Sequence, residues 1–93
     1  MKNRSELREI IMKVIYQVSI FEDTKIDYNV NDLIKEQLEV QNEFVDSCVL
    51  GILEHKKELY TLADKYLNNW NMNRLNKVDQ AILALGIYEL KYT

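Results

Sequence analysis

Apolar residues recur along most of this chain at three- and four-residue intervals, and the breaks between these runs mark out helices. Leu7, Ile10, Ile11, Val14, Ile15 and Val18 form the first stripe and are expected to face a core. Asn3 stands before it with Glu6 three residues on, the arrangement of a capping box, and the helix is expected to fade near Phe21 to Asp23. Residues 22–30, EDTKIDYNV, carry turn-type residues without an apolar period and predict a connection. Asn29 or Asn31 is then placed to cap a short helix from about Asp32 to Leu38, with Leu33, Ile34 and Leu38 inward. Phe44, Val45, Cys48, Val49 and Ile52 predict a third helix from about Gln41 to Glu54. Gly51 within it costs about 1 kcal/mol relative to alanine, and is read as a point of close helix contact.

A fourth stripe, Leu59, Leu62, Ala63, Tyr66, Leu67 and Trp70, follows the charged hinge His55-Lys56-Lys57; whether helices three and four join there stays open. The Asn-rich stretch NNWNMNRLN, residues 68–76, breaks the period, and Asn76 with Asp79 then predicts a last helix over 77–91. That helix is apolar on two sides. Val78, Ala81, Ile82 and Leu85 make one stripe, and Leu83, Ile87 and Leu90 another, which suits a central helix whose second face meets another chain. The expected fold is all-α, a compact bundle of about five helices forming a single domain over residues 1–93, with a homodimer or a tight partner complex covering the last helix.

The composition agrees with this and removes several classes of function. The 93 residues are 47% apolar and 29% charged, with no proline and two glycines, as expected of a globular chain with few helix breakers. No apolar run approaches the ~18 residues of a membrane span and no signal-like block opens the chain, so a cytoplasmic location without membrane contact is expected. Cys48 is the one cysteine and falls in an apolar pattern, the reading of a buried reduced thiol. The net charge of −3 is unevenly spread: Lys2, Arg4, Arg8 and Lys13 outweigh Glu6 and Glu9 by two, leaving −5 on the remainder. A small basic patch on an acidic body suits a local phosphate contact. Arg4 and Arg8 are read as sharing the side of the first helix away from its apolar stripe, and Glu9 and Lys13 as an i,i+4 pair supporting it.

Little in the chain resembles an active site. His55 stands beside two lysines with no second histidine or cysteine at ligand spacing, and two glycines cannot build a phosphate loop, so neither catalysis, metal nor cofactor is expected. Tyr60, Tyr66, Trp70, Tyr88 and Tyr92 lie on or beside apolar stripes and read as core or rim. Tyr16 sits off the stripe and is the aromatic best placed near a bound strand.

Three segments, in order, resemble the NusB family of RNA-binding transcription antitermination factors. The first is Arg4-Ser5-Glu6-Leu7-Arg8-Glu9-Ile10 through Val14-Ile15-Tyr16-Gln17. Phe44-Val45 with Val49-x-Gly51-Ile52 is the second. The most specific is Leu67-x-x-Trp70-x-Met72-x-Arg74-Leu75-x-x-Val78-Asp79-x-Ala81-Ile82-Leu83, closing with Tyr88-Glu89-Leu90. The resemblance implies a helical protein that holds boxA-type RNA together with a small-subunit ribosomal protein acting as NusE, within an antitermination complex of RNA polymerase that reads ribosomal RNA genes. It carries RNA contact onto Arg4 and Arg8, with Lys2 and Lys13 as nearby support, and partner contact onto Asp79; Tyr16 is expected beside the RNA and Asn73 beside the partner. Ser5 and Glu6 stand where the family often has further arginines, and Ala84 where it usually has one. The family continues past the position of Thr93 into further helices, and whether this sequence comes from a truncated gene, a shortened paralogue or a piece of a longer chain stays open. Two other readings are a helical interaction module without RNA binding, and the NusB-like accessory domain of a ribosomal RNA cytosine methyltransferase.

Overall fold

Asparagine begins nearly every helix of this protein. The computed structural model describes residues 2–67 and 71–93. Among them α1 (Arg4–Thr24), α2 (Val30–Gln37), α3 (Glu43–Glu54), α4 (Lys56–Tyr66) and α5 (Lys77–Tyr92) are α-helices, with a 3-10 turn at Met72–Arg74 before α5. Asn3, Asn29, Asn42 and Asn76 each accept, through the side-chain oxygen, the N–H of the residue three on, respectively Glu6, Asp32, Val45 and Asp79. Such a cap is worth about 1 kcal/mol. At Asn3 the Glu6 carboxylate also accepts the Asn3 N–H, completing the expected capping box. α1 ends with Lys25 in the left-handed region at φ 56°. There the Lys25 N–H donates to the Glu22 carbonyl and the Ile26 N–H to that of Phe21, satisfying two of the orphan carbonyls.

The core lies where α1, α3 and α5 meet, with α2 packed on α1 and α4 on α5. α1 and α5 run antiparallel, since Arg8 reaches Glu89 at one end and Asp23 reaches Lys77 at the other. Ile11, Val14, Val18, Val45, Val49, Ile52, Leu59 and Leu85 are buried between the helices. Each such side chain contributes about 1.5–3 kcal/mol by leaving water. Gly51 lets α5 close on α3: a Cβ there would fall inside the Tyr88 phenol.

Several boundaries differ from the expected ones, each for a local reason. Asn29 rather than Asn31 caps α2, so that helix starts at Val30. α3 starts at Glu43 because Asn42 takes the cap. The third and fourth helices are separate, His55 ending one and preceding the other, so Lys56 and Lys57 form the first turn of α4 instead of a hinge. Tyr66 is exposed, leaving Leu59 and Ala63 as the buried part of the fourth stripe. Asn68, Asn69 and Trp70 lie outside the described residues.

The largest correction concerns α5. Its inward face is Gln80, Ala81, Ala84 and Leu85, while Val78 and Ile82 remain 52% and 48% exposed. Gln80 sets this phase. Its Nε2 donates to the Met72 carbonyl at 2.7 Å and the Leu75 carbonyl at 3.1 Å, and its Oε1 accepts the Tyr60 hydroxyl at 3.1 Å. With these bonds made, a buried glutamine is satisfied and fixes the turn entering the helix. Asp64 helps by accepting the Met72 N–H at 2.7 Å. Turning Gln80 inward turns Val78 and Ile82 out. Positions 78, 82, 86 and 90 then form an i+4 ridge in which Val78, Ile82 and Leu90 are exposed and Gly86 half-buried, with open space where a Cβ at Gly86 would fall.

Candidate nucleic-acid interface

The basic residues of α1 do not form one patch. Arg4 and Arg8 fall at i and i+4 on the line that continues through the buried Ile11 and Ile15, so they border the core-facing stripe rather than oppose it. Each therefore touches a neighbouring helix. The Arg4 guanidinium carbon lies 3.8 Å from the centroid of the Phe44 ring on α3, a cation–π contact. Arg8 Nη2 lies 2.7 Å from Glu89 Oε1 on α5, both side chains being partly exposed. Arg4, exposed, has no carboxylate partner among the described residues. The expected Glu9–Lys13 pair is not formed; both side chains line a groove instead.

Lys2 and Arg4 line an open groove of about 1020 Å³ between the start of α1 and the α2–α3 connection. Leu7 and Leu38 are buried beneath it and Phe44 is half-buried. Two carboxylates, Glu36 and Glu39, share the lining, so the groove is not uniformly positive.

Lys13 and Tyr16 lie further along α1, in a smaller groove of about 230 Å³ against α5. Met12, Ala81, Val78 and Ile82 supply its apolar wall. Tyr16 is 38% exposed there, a position from which a ring can stack on a base or on an apolar partner. Asp79 is exposed in the first turn of α5, beside the Val78–Ile82 ridge. Asn73, also exposed, lies in the 3-10 turn and lines a separate polar cleft with Lys56, Lys57, Tyr60 and Lys77. The structure thus groups Lys2 with Arg4 and Lys13 with Tyr16, sets Arg8 against Glu89, and separates Asn73 from the groove that α1 and α5 share.

The remaining polar chemistry is structural in form. Glu58 holds Lys91 and Tyr92 from α5, and His55 stacks on Tyr92 with ring centroids 4.5 Å apart. The hydrogen bonds from Lys91 and then Tyr92 hold the Glu58 carboxyl below its usual range, while the Glu58 contact pushes Lys91 and Tyr92 up. Burial pushes the Cys48 thiol up, with Glu89 adding to the shift and Arg4 opposing it, which keeps the thiol protonated and unreactive. Among the described residues no three histidine, cysteine or carboxylate side chains gather around a metal-sized space, and no helix is long and apolar enough to cross a membrane.

Sequence reasoning missed Phe44, Glu89 and Gln80 as participants. Phe44 sits in an apolar stripe and Glu89 in an unremarkable surface position, and their partners are 40 and 81 residues away in the chain. Gln80 carried a readable signal: a glutamine in phase with Ala81, Ala84 and Leu85 must be satisfied if the alanines are buried.

A family model described as the NusB family matches residues 5–93. The transcription antitermination protein NusB of Thermoanaerobacter sp. (strain X514) is 35% identical over 91 residues, covering 97% of this chain and 64% of that protein. Its counterpart in Listeria innocua is 30% identical over 89 residues, with 96% of this chain and 66% of the relative covered. That of Agathobacter rectalis is 30% identical over 92 residues, covering 96% and 70%. The chain therefore spans about two thirds of the length of these relatives. No solved structure matches it.

Proposed function

Starting from a chain that belongs to the NusB family, we propose that it acts as a transcription antitermination factor that binds boxA-type RNA together with the ribosomal protein acting as NusE. The family match over residues 5–93 carries this reading. The role is non-catalytic and cytoplasmic: the chain bridges RNA and protein within the antitermination complex of RNA polymerase. As a single domain it offers RNA the residues Lys2, Arg4, Arg8, Lys13 and Tyr16, and NusE the residues Asp79 and Asn73. Arginine forks suit phosphate and base edges, and a carboxylate beside an apolar ridge suits a basic ribosomal protein. With about two to four phosphate contacts, affinity is modest and falls steeply with salt.

Titration of boxA-type and scrambled RNA, with and without NusE at two salt concentrations, tests it. Preference for boxA that strengthens with NusE is the expected result. Equal and weak binding of both RNAs under all conditions rejects it.

A second reading, a helical interaction module without RNA function, draws on the exposed ridge of Val78, Ile82 and Leu90 on α5. Such a ridge is what a partner helix or a second copy of the chain covers. Sedimentation that shows a dimer, weakened by Ile82→Glu, together with no RNA binding at low salt, favours it.

A further inference from the structure

The groove at the start of α1 carries more than the phosphate contact assigned to Lys2 and Arg4. The Arg4 guanidinium carbon sits over the Phe44 ring, 3.8 Å from its centroid, so the ring backs the cation on one side. Arg4 is exposed and lines the groove, so the side away from Phe44 is accessible to a ligand. Val40, 78% exposed on the α2–α3 connection, lines the same groove. Gln41 donates one of its two amide N–H groups to Asp46 at 3.0 Å and keeps its carbonyl as an acceptor. Asn42 spends its carbonyl on the Val45 N–H at 3.1 Å and keeps its amide as a donor. A backed planar cation, an apolar edge, one acceptor and one donor are the parts of a base-binding site.

The charge balance points the same way. Lys2 and Arg4 are matched by Glu36 and Glu39, so the groove is a poor track for a run of phosphates. A neutral base is not repelled, and the carboxylates can accept its amino or imino hydrogens. A peptide segment would also fill the apolar floor, and the abasic series below separates the two occupants.

We propose that this groove takes one unpaired nucleobase of single-stranded RNA, stacked on the Arg4 guanidinium that Phe44 backs, with Lys2 meeting the adjoining phosphate. The proposal rests on the RNA-binding reading above. Base stacking on such a plane is sequence-tolerant, so the groove sets register on the strand, and the flanking Gln41 and Asn42 bias which base it takes.

The test uses a short single-stranded boxA-type RNA in which each position in turn is replaced by an abasic ribose. In the wild type, one abasic position is expected to weaken binding about ten-fold. Arg4→Lys keeps the charge and loses the stacking plane, so it should weaken the intact RNA by a similar factor and leave the salt dependence unchanged. In the same variant the sensitive abasic position should cost nothing further. Lys2→Ala should flatten the salt dependence and keep the abasic profile. Phe44→Leu serves as a second variant if its helicity is unchanged, with the same loss expected. Wild-type affinity in Arg4→Lys, or an abasic profile without a sensitive position while boxA RNA still binds, overturns the base site and leaves the RNA-binding reading standing. Absence of RNA binding in the wild type overturns both. A flat abasic profile in which Val40→Asp releases the ribosomal-protein partner assigns the groove to a protein segment, and likewise overturns the proposal.

Discussion

At the C-terminal end of α5, charged and aromatic side chains find their partners within the chain, whereas at the start of α1 they are left facing solvent. Around α5, Glu89 holds Arg8, Tyr88 lies over Gly51, and Glu58 gathers Lys91 and Tyr92. One turn before Arg8, Arg4 meets among the described residues an aromatic ring and no carboxylate, and it lines an open groove. Two arginines that look alike in the sequence thus differ in availability. A phosphate arriving at Arg8 meets a carboxylate already in place, while Arg4 keeps its charge and most of its donors for an incoming ligand.

The heaviest blow to the tied end is Gly51→Val. Its side chain collides with Tyr88, and overpacking of this kind is expected to cost about 2 kcal/mol and about 10 °C in Tm, read by thermal unfolding followed by circular dichroism. Tyr88→Ala in the same chain should recover part of the loss, and no recovery means that the α3–α5 approach is not what Gly51 serves. Next, Arg4→Ala is expected to weaken boxA-type RNA binding about ten-fold and Arg8→Ala clearly less, each flattening the salt dependence. Equal losses would erase the distinction between the two arginines. Freeing Arg8 should sharpen it: Glu89→Gln is expected to tighten RNA binding a few-fold at a stability cost within about 1 kcal/mol, because the pair is partly exposed. Unchanged affinity would show that Glu89 does not compete.

The smallest effect is a titration. Because Glu58 is held below the ordinary carboxylate value of 4.5, its contacts favour the fold at neutral pH. They are lost as pH falls through that lowered midpoint. Side-chain carboxyl NMR should show the Glu58 midpoint moving up in Lys91→Met, and a fixed midpoint would remove Lys91 as the main cause.

Much of this architecture is legible in the sequence because helix periodicity and capping are local. Asn3 with Glu6, and Asn76 with Asp79, mark their helix starts within four residues, and Gly51 announces a close approach. The phase of α5 is not legible by the same means. With apolar residues on both sides, period alone favours Val78 and Ile82 inward, and the decision falls to the hydrogen bonds of Gln80 with a turn earlier in the chain. The side on which Arg4 and Arg8 lie was within reach of the spacing, since both continue the Ile11–Ile15 line. Their partners were not, because Phe44 and Glu89 come from other helices.

The Arg8–Glu89 pair also gives α1 and α5 one contact through which ligands on the two helices could be coupled. A ligand that draws Arg8 away from Glu89 must overcome their attraction, and a second ligand on α5 that occupies Glu89 removes that penalty in advance. Each then raises the affinity of the other by the same factor, as reciprocity of coupling requires. On the function proposed above, a single shared counter-ion would let an RNA on one helix and a protein on the other sense each other.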